Sequence, residues 1–127
     1  MKILVAEDEP GLLQIYKVLF ESHGYEVMTT KDGQECVEAY EAELNKTTEN
    51  TTPFDMVVLD YRMPIKNGVE AAKEILVLCP DQKLLMVTAY SGVLDSKGEK
   101  LKKMKVMSKP FDFDKFLATI TDELKNA

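Results

Sequence analysis

Apolar positions along the chain fall into two kinds of segment that alternate. Short apolar runs recur at residues 2–6, 56–60 and 83–87, and two further short strand-like segments lie at 25–30 and 105–108. The run at 56–60, apolar without alternation up to its terminal carboxylate, reads as a strand buried on both faces. Between them, apolar residues recur at helical spacing. Leu12, Leu13, Tyr16, Leu19 and Phe20 mark one helix face, and Cys36, Val37, Tyr40 and Leu44 a second. Val69, Ala72, Ile75 and Leu76 mark another, and Phe113, Phe116, Leu117, Ile120 and Leu124 the last. A helix over 91–103 completes the series, weakened by Gly92 and Gly98, each costing about 1 kcal/mol relative to Ala in a helix interior. Strand and helix therefore alternate five times. That order calls for right-handed crossovers and a parallel sheet with helices on both faces.

Punctuation residues agree with these elements. Pro10 suits the first turn of a helix, where its missing N–H costs nothing, and Gly24 suits a left-handed cap after His23. Asp32-Gly33 and Asn67-Gly68 are turn signals, Pro64 stops the third strand, Pro80 closes the third helical segment, and Asp112 is placed to cap the last helix. Residues 45–53 are polar and Thr-rich without an apolar anchor, a long surface loop expected to be mobile.

With 127 residues the chain is expected to be one domain over 1–127, large enough to bury a core. Its net charge of -6 disfavours a nucleic-acid groove, which needs clustered Lys and Arg. The basic cluster at 97–105 includes Glu99 and reads as a solvated helix face. Cys36 and Cys79 form no CxxC pair, and the chain enters a strand at once without a leader, which together point to a reducing cytoplasm. No apolar run approaches membrane-spanning length. Asn45-Lys46-Thr47 and Asn50-Thr51-Thr52 match the glycosylation pattern, which carries no weight without secretion. His23, the single histidine, reads as an exposed cap, and the seven Met residues as core filler.

Chemistry-bearing residues gather at the strand ends: Glu7-Asp8, Thr30, Asp60, Thr88 and Lys109. In an open parallel sheet ligands bind at the carboxyl ends of the strands. If the first, third, fourth and fifth strands are neighbours, three carboxylates, a hydroxyl and an ammonium converge. Clustered carboxylates oppose one another's ionisation, and a hard divalent cation resolves this. Mg²⁺ takes carboxylates, waters and a phosphate oxygen. Glu7 and Asp8 leave the strand in opposite directions, so Asp8 is expected as a direct ligand and Glu7 as one acting through water. Asp60 could both bind the metal and attack phosphorus, giving an aspartyl phosphate. Lys109 and Thr88 would hold the transferred oxygens.

With these residues in view, the chain resembles the receiver domain of two-component response regulators over essentially its whole length. Glu7-Asp8 matches the family's metal-binding acids. Asp60-Tyr61-Arg62-Met63-Pro64, with Gly68 beyond, matches the phosphoacceptor segment. Thr88-Ala89 matches the switch hydroxyl and its small neighbour, and Lys109-Pro110-Phe111 matches the Lys-Pro-Phe signature. The resemblance implies a flavodoxin-like, doubly wound α/β fold, (βα)5, with five strands and five helices. It implies phosphorylation of Asp60, Mg²⁺ (or Mn²⁺) held by Glu7, Asp8, Asp60 and the backbone carbonyl of Arg62, and a cis Lys109-Pro110 bond. It implies a sensor histidine kinase or histidine phosphotransfer protein as donor, docking near the first helix and the loop after Lys109. A cytoplasmic phosphorelay protein with slow autodephosphorylation is expected, signalling to a downstream protein target, without membrane or direct nucleic-acid contact and with dimerisation open.

The sequence departs from the family at Val106, three before the lysine, where an aromatic residue usually follows the switch threonine inward. Tyr90 is the candidate substitute. Arg62 and Tyr90, two beyond Asp60 and Thr88, occupy positions that tune hydrolysis in the family, and both are large enough to shield a phosphoryl group from water. Thr88 and Lys109 are expected to bias the segment after Tyr90. Two rivals on related chemistry lack parts. A flavin domain would need a phosphate cradle where Glu7-Asp8-Glu9 stands, and an Asp-x-Asp phosphatase would need an acid where Arg62 stands. The remaining alternative is a pseudo-receiver, a docking module without phosphorylation. The chain ends soon after the last helix, leaving open a stand-alone regulator or a fragment of a longer one.

Overall fold

Five parallel strands form one sheet: β1 (Lys2–Ala6), β2 (Glu26–Thr30), β3 (Met56–Asp60), β4 (Leu84–Thr88) and β5 (Met104–Ser108), in the order β2-β1-β3-β4-β5. Four helices accompany them: α1 (Pro10–Ser22), α2 (Gly33–Leu44), α3 (Gly68–Leu78) and α4 (Phe113–Lys125). The computed structural model describes residues 1–47, 51–89, 104–109 and 112–125. The helix expected over 91–103, Tyr90, Pro110 and so the expected cis Lys109-Pro110 bond, and the centre of the 45–53 loop lie outside the described residues. Four of the five expected helices are therefore seen, around the expected five-stranded sheet.

The apolar runs explain the strand order. β3 and β4 are buried at all five positions and take the centre of the sheet. β2 and β5, with exposed or half-buried positions, take the edges. Chain connections reverse direction at β1, which pairs with β2 on one side and β3 on the other. That is the topological switch point, where a crevice opens at the carboxyl ends of the strands.

Strand alternation divides the core into two layers. One packs Leu4, Val57, Leu59, Leu84 and Met86 against α2 and α3 through Cys36, Tyr40, Ala72 and Ile75. The other packs Ile3, Val5, Val58, Leu85 and Val87 against α1 and α4 through Tyr16, Phe20, Phe116 and Ile120. Helix ends follow the local sequence. The Asp32 side chain accepts from Glu35 N at 2.7 Å, Asn67 and Glu70 form a reciprocal capping box, and Asp112 accepts from Lys115 N at 2.7 Å. His23 is the exposed C-cap of α1, and Gly24 beyond it adopts φ +82.

Glu9 stands apart from the other two acids of the 7–9 run. The three consecutive acids look gratuitous for folding, yet Glu9 is the N-cap of α1, its carboxylate accepting from Gly11 N and Leu12 N. Folding therefore accounts for one acid of the three, leaving Glu7 and Asp8 for the crevice.

Candidate functional site

Register sets the site. Ala6 pairs with Leu59 and Asp60 with Val87, so Glu7, Asp60 and Thr88 emerge side by side at the carboxyl edge. Thr88 pairs with Ser108, and Lys109 N donates to Thr88 O at 2.8 Å, so the residue that carries the ammonium is tied to the end of β4. Four of the five strand ends meet. The fifth does not, because the Thr30 hydroxyl is directed at its own sheet, donating to Val5 O at 2.9 Å.

Asp60 is 8% exposed and Glu7 2%, whereas Asp8 faces solvent. Glu7, Asp8 and Asp60 each offer an oxygen, all within 4.8 Å of one another. Lys109 Nζ lies 3.1 Å from Asp60 Oδ1 and 3.5 Å from Glu7 Oε1. The longer distance is an ion pair rather than a hydrogen bond, and Glu7 Oε1 has no hydrogen-bond donor among the described residues. Its other oxygen accepts from Glu9 N at 3.1 Å.

The electrostatics follow. Burial first, then the Asp60 carboxylate, pushes the Glu7 carboxyl up to about 7, against the opposing pull of Glu9 N–H and Lys109. Burial also raises Asp60, partly offset by Lys109. For Lys109, burial works to lower the pKa, but Asp60 and Glu7 outweigh it and hold the ammonium above its ordinary value. One ammonium thus pairs with the two buried carboxylates of a group of three. An all-oxygen donor set with surplus negative charge and an unmet buried carboxylate oxygen fits a hard divalent cation of the Mg²⁺ type.

The supporting backbone is tightly fixed. Tyr61 N donates to Val87 O at 3.1 Å and Gly68 N to Tyr61 O at 2.9 Å, so the chain leaving β3 is held before α3 begins. The other residues singled out in the sequence do not join the group of acids. Arg62 is exposed two residues beyond Asp60, and Ala89 is exposed after Thr88. Val106 pairs with Met86 and packs half-buried against the α2/α3 layer, away from the acids. Tyr16 was legible only as a core position of α1. Its hydroxyl, buried and without a partner among the described residues, is within electrostatic reach of Glu7 and Asp60. The usable signal was its residue type, since a buried Tyr normally finds a partner for its O–H.

This edge, on this sheet, defines a class of protein, and sequence comparison gives the same answer. The chain belongs to the response regulator receiver domain family, whose profile matches residues 3–121. It is 35% identical over 124 residues to the transcriptional regulatory protein ZraR of Klebsiella oxytoca, covering 96% of this chain and 26% of that protein. It thus spans about a quarter of that relative's length. It is 29% identical over 111 residues to the response regulator receiver protein CpdR of Brucella abortus, covering 87% of this chain and 85% of that one. Among solved structures it resembles the response regulator protein TrrA of Thermotoga maritima in complex with Mg(2+)-BeF. That match has a TM-score of 0.78 and 29% identity, and covers 96% of this chain and 97% of the other.

Proposed function

We propose that this receiver domain, one unit over 1–127, accepts a phosphoryl group on Asp60 in a Mg²⁺-dependent reaction and signals by the change that follows. The observation that carries the reading is the buried Asp60 carboxylate, ion-paired with Lys109 and grouped with the oxygens of Glu7 and Asp8. The donor is a phosphohistidine on a sensor kinase or phosphotransfer protein. A carboxylate oxygen of Asp60 attacks phosphorus, the P–N bond to the imidazole breaks, and the imidazole leaves with the electron pair.

Glu7, Asp8, Asp60 and the carbonyl of Arg62 would hold Mg²⁺, with Mn²⁺ as an alternative ion. When bound, that ion supplies positive charge against the phosphoryl oxygens. The chain's own residues do the rest. β3 holds Asp60 rigidly at the crevice. Lys109 exchanges part of its pairing with Asp60 for the incoming phosphoryl oxygens, and the Thr88 hydroxyl follows them. Phosphorylation replaces one carboxylate by a group with more charge and three acceptor oxygens, and Arg62 and Tyr90 screen it from water. Slow loss of the phosphoryl group to water resets the domain.

The complete set of acids, hydroxyl and lysine at one edge argues against a pseudo-receiver that only docks. The downstream target is a protein, reached in the cytoplasm; among the described residues no helix is long and apolar enough to cross a membrane. The test is intact mass after incubation with acetyl phosphate, with and without Mg²⁺, for the wild type and Asp60→Asn. One phosphoryl adduct requiring both Mg²⁺ and Asp60 is expected. A folded, Mg²⁺-binding protein that takes no adduct would overturn the reading.

A further inference from the structure

Tyr16 carries an oxygen that the phosphoacceptor reading leaves without a task. Its ring is packed in the α1/α4 layer, stacked on Phe116 with centroids 5.2 Å apart and edge-on to Phe113 at 6.3 Å. A phenylalanine would serve that packing equally well. The residue is 1% exposed, and its hydroxyl has no hydrogen-bond partner among the described residues. Buried hydroxyls are nearly always paired, because leaving one unmet is destabilising.

Its surroundings indicate the missing partner. Tyr16 packs in the same layer as Val5 and Val58. Side chains two apart on a strand share a face, so that face of β1 and β3 continues directly to Glu7 and Asp60. Both carboxylates act on the phenol, which burial first, then Glu7, then Asp60 hold above its ordinary range. Glu7 Oε1 is the other buried side-chain oxygen lacking a hydrogen bond among the described residues. One atom is a donor, the other an acceptor.

We propose that Tyr16 is a positioning residue of the cation site: its hydroxyl donates to Glu7 through one buried water and fixes that carboxylate to serve the bound ion. The inference rests on the reading of Glu7, Asp8 and Asp60 as the Mg²⁺ site. Partners that orient metal-binding groups from behind commonly change metal affinity 10–100-fold when removed. Tyr16 reaches the site from a helix that supplies no ligand of its own.

Tyr16→Phe removes one oxygen and keeps the ring. The Mg²⁺ dissociation constant is measured by titration calorimetry for the wild type, Tyr16→Phe, Glu7→Gln and the double variant, alongside metal-free melting. Tyr16→Phe is expected to weaken Mg²⁺ binding about 10-fold while the metal-free protein melts no lower than wild type. In the Glu7→Gln background the same change is expected to have no further effect on affinity, because the hydroxyl acts through Glu7. Unchanged affinity in Tyr16→Phe overturns the inference and leaves the phosphoacceptor reading intact. A loss that persists undiminished in the Glu7→Gln background overturns it too, by showing a purely structural effect. A wild type that binds no Mg²⁺ removes both readings together.

Discussion

Gly68, the first residue of α3, presses against the backbone of Asp60: a Cβ at position 68 would lie 2.5 Å from the Asp60 carbonyl oxygen and 2.7 Å from Met86 Sδ. The Met86 side chain can shift, but the Asp60 backbone is fixed by the ladder to β4. Gly68→Ala is therefore expected to cost about 1–3 kcal/mol, the usual range for overpacking a filled core. It should also slow phosphoryl uptake by displacing the acceptor. Urea unfolding and adduct formation from acetyl phosphate check the two effects. Wild-type stability in Gly68→Ala would show that α3 can slide away from β3 without cost.

Ile65 is the reverse case, a residue whose backbone works against the fold. It has φ +72, a left-handed conformation that is poor for a β-branched residue. Lys66 N donates to Pro64 O at 2.7 Å, closing a tight three-residue turn around it. The side chain is 80% exposed, so little packing compensates. Ile65→Gly is expected to stabilise the domain by about 1 kcal/mol. Chemical denaturation measures this directly, and a destabilised Ile65→Gly would mean that the side chain makes a contact that outweighs the strain.

The same loop marks the limit of what the chain reveals before it is folded. Continuous apolar runs mark β1, β3 and β4, because a strand buried on both faces leaves little freedom of pattern, whereas the edge strands β2 and β5 carry polar and exposed positions. The grouping at the crevice was legible for a related reason: Glu7-Asp8, Asp60, Thr88 and Lys109 stand at the ends of four strands, and the topology makes those four strands neighbours. What stayed hidden were contacts between segments distant in sequence. Gly33 reads as half of a turn, yet its N–H donates to Lys66 O at 3.2 Å and a Cβ there would meet that oxygen at 2.2 Å. Thr30 reads as a fifth polar strand end, and only the folded chain shows its hydroxyl bound to β1. Periodicity assigns Tyr16 to the core correctly but says nothing about where a phenolic oxygen points.

Glu7 gives the metal-free domain a pH dependence opposite to that of an ordinary carboxylate. Its folded pKa is raised from 4.5 to about 7, so the folded state holds a proton that the unfolded chain has released. Stability from this source is fully present below pH 4.5 and is lost as pH rises through 7. Asp60 is shifted in the same direction. Glu43 is lowered by its Lys2 hydrogen bond and acts below this window, while Lys109 acts above pH 10.5. The metal-free protein is expected to be less stable at pH 8 than at pH 5.5 by on the order of 1 kcal/mol, or about 4 °C in Tm. Mg²⁺ should reverse the loss at pH 8, and Glu7→Gln should flatten the profile. Melting curves across pH in a chelator test this, and a Tm that rises steadily from pH 5.5 to 8 would falsify the assignment.

Lys109 and a divalent cation held by the acids would draw on the same oxygens, and this competition separates the lysine's two proposed roles. In the metal-free domain the ammonium neutralises Asp60 at 3.1 Å and partly offsets Glu7 at 3.5 Å. Removing it leaves two buried carboxylates facing each other, so Lys109→Ala should destabilise the metal-free protein at pH 8. The same removal takes away a cation that repels the incoming ion, so Mg²⁺ affinity should rise by about 2–5-fold. Phosphoryl transfer should nevertheless fall by about 100-fold, because a charge available to the developing phosphoryl oxygens is lost. Titration calorimetry and single-turnover phosphorylation give the two numbers independently. Affinity and rate falling together would mean that Lys109 acts mainly by holding the acids in place. Opposite changes would assign it to the transferred group, with its pairing to Asp60 as the resting arrangement that phosphorylation displaces.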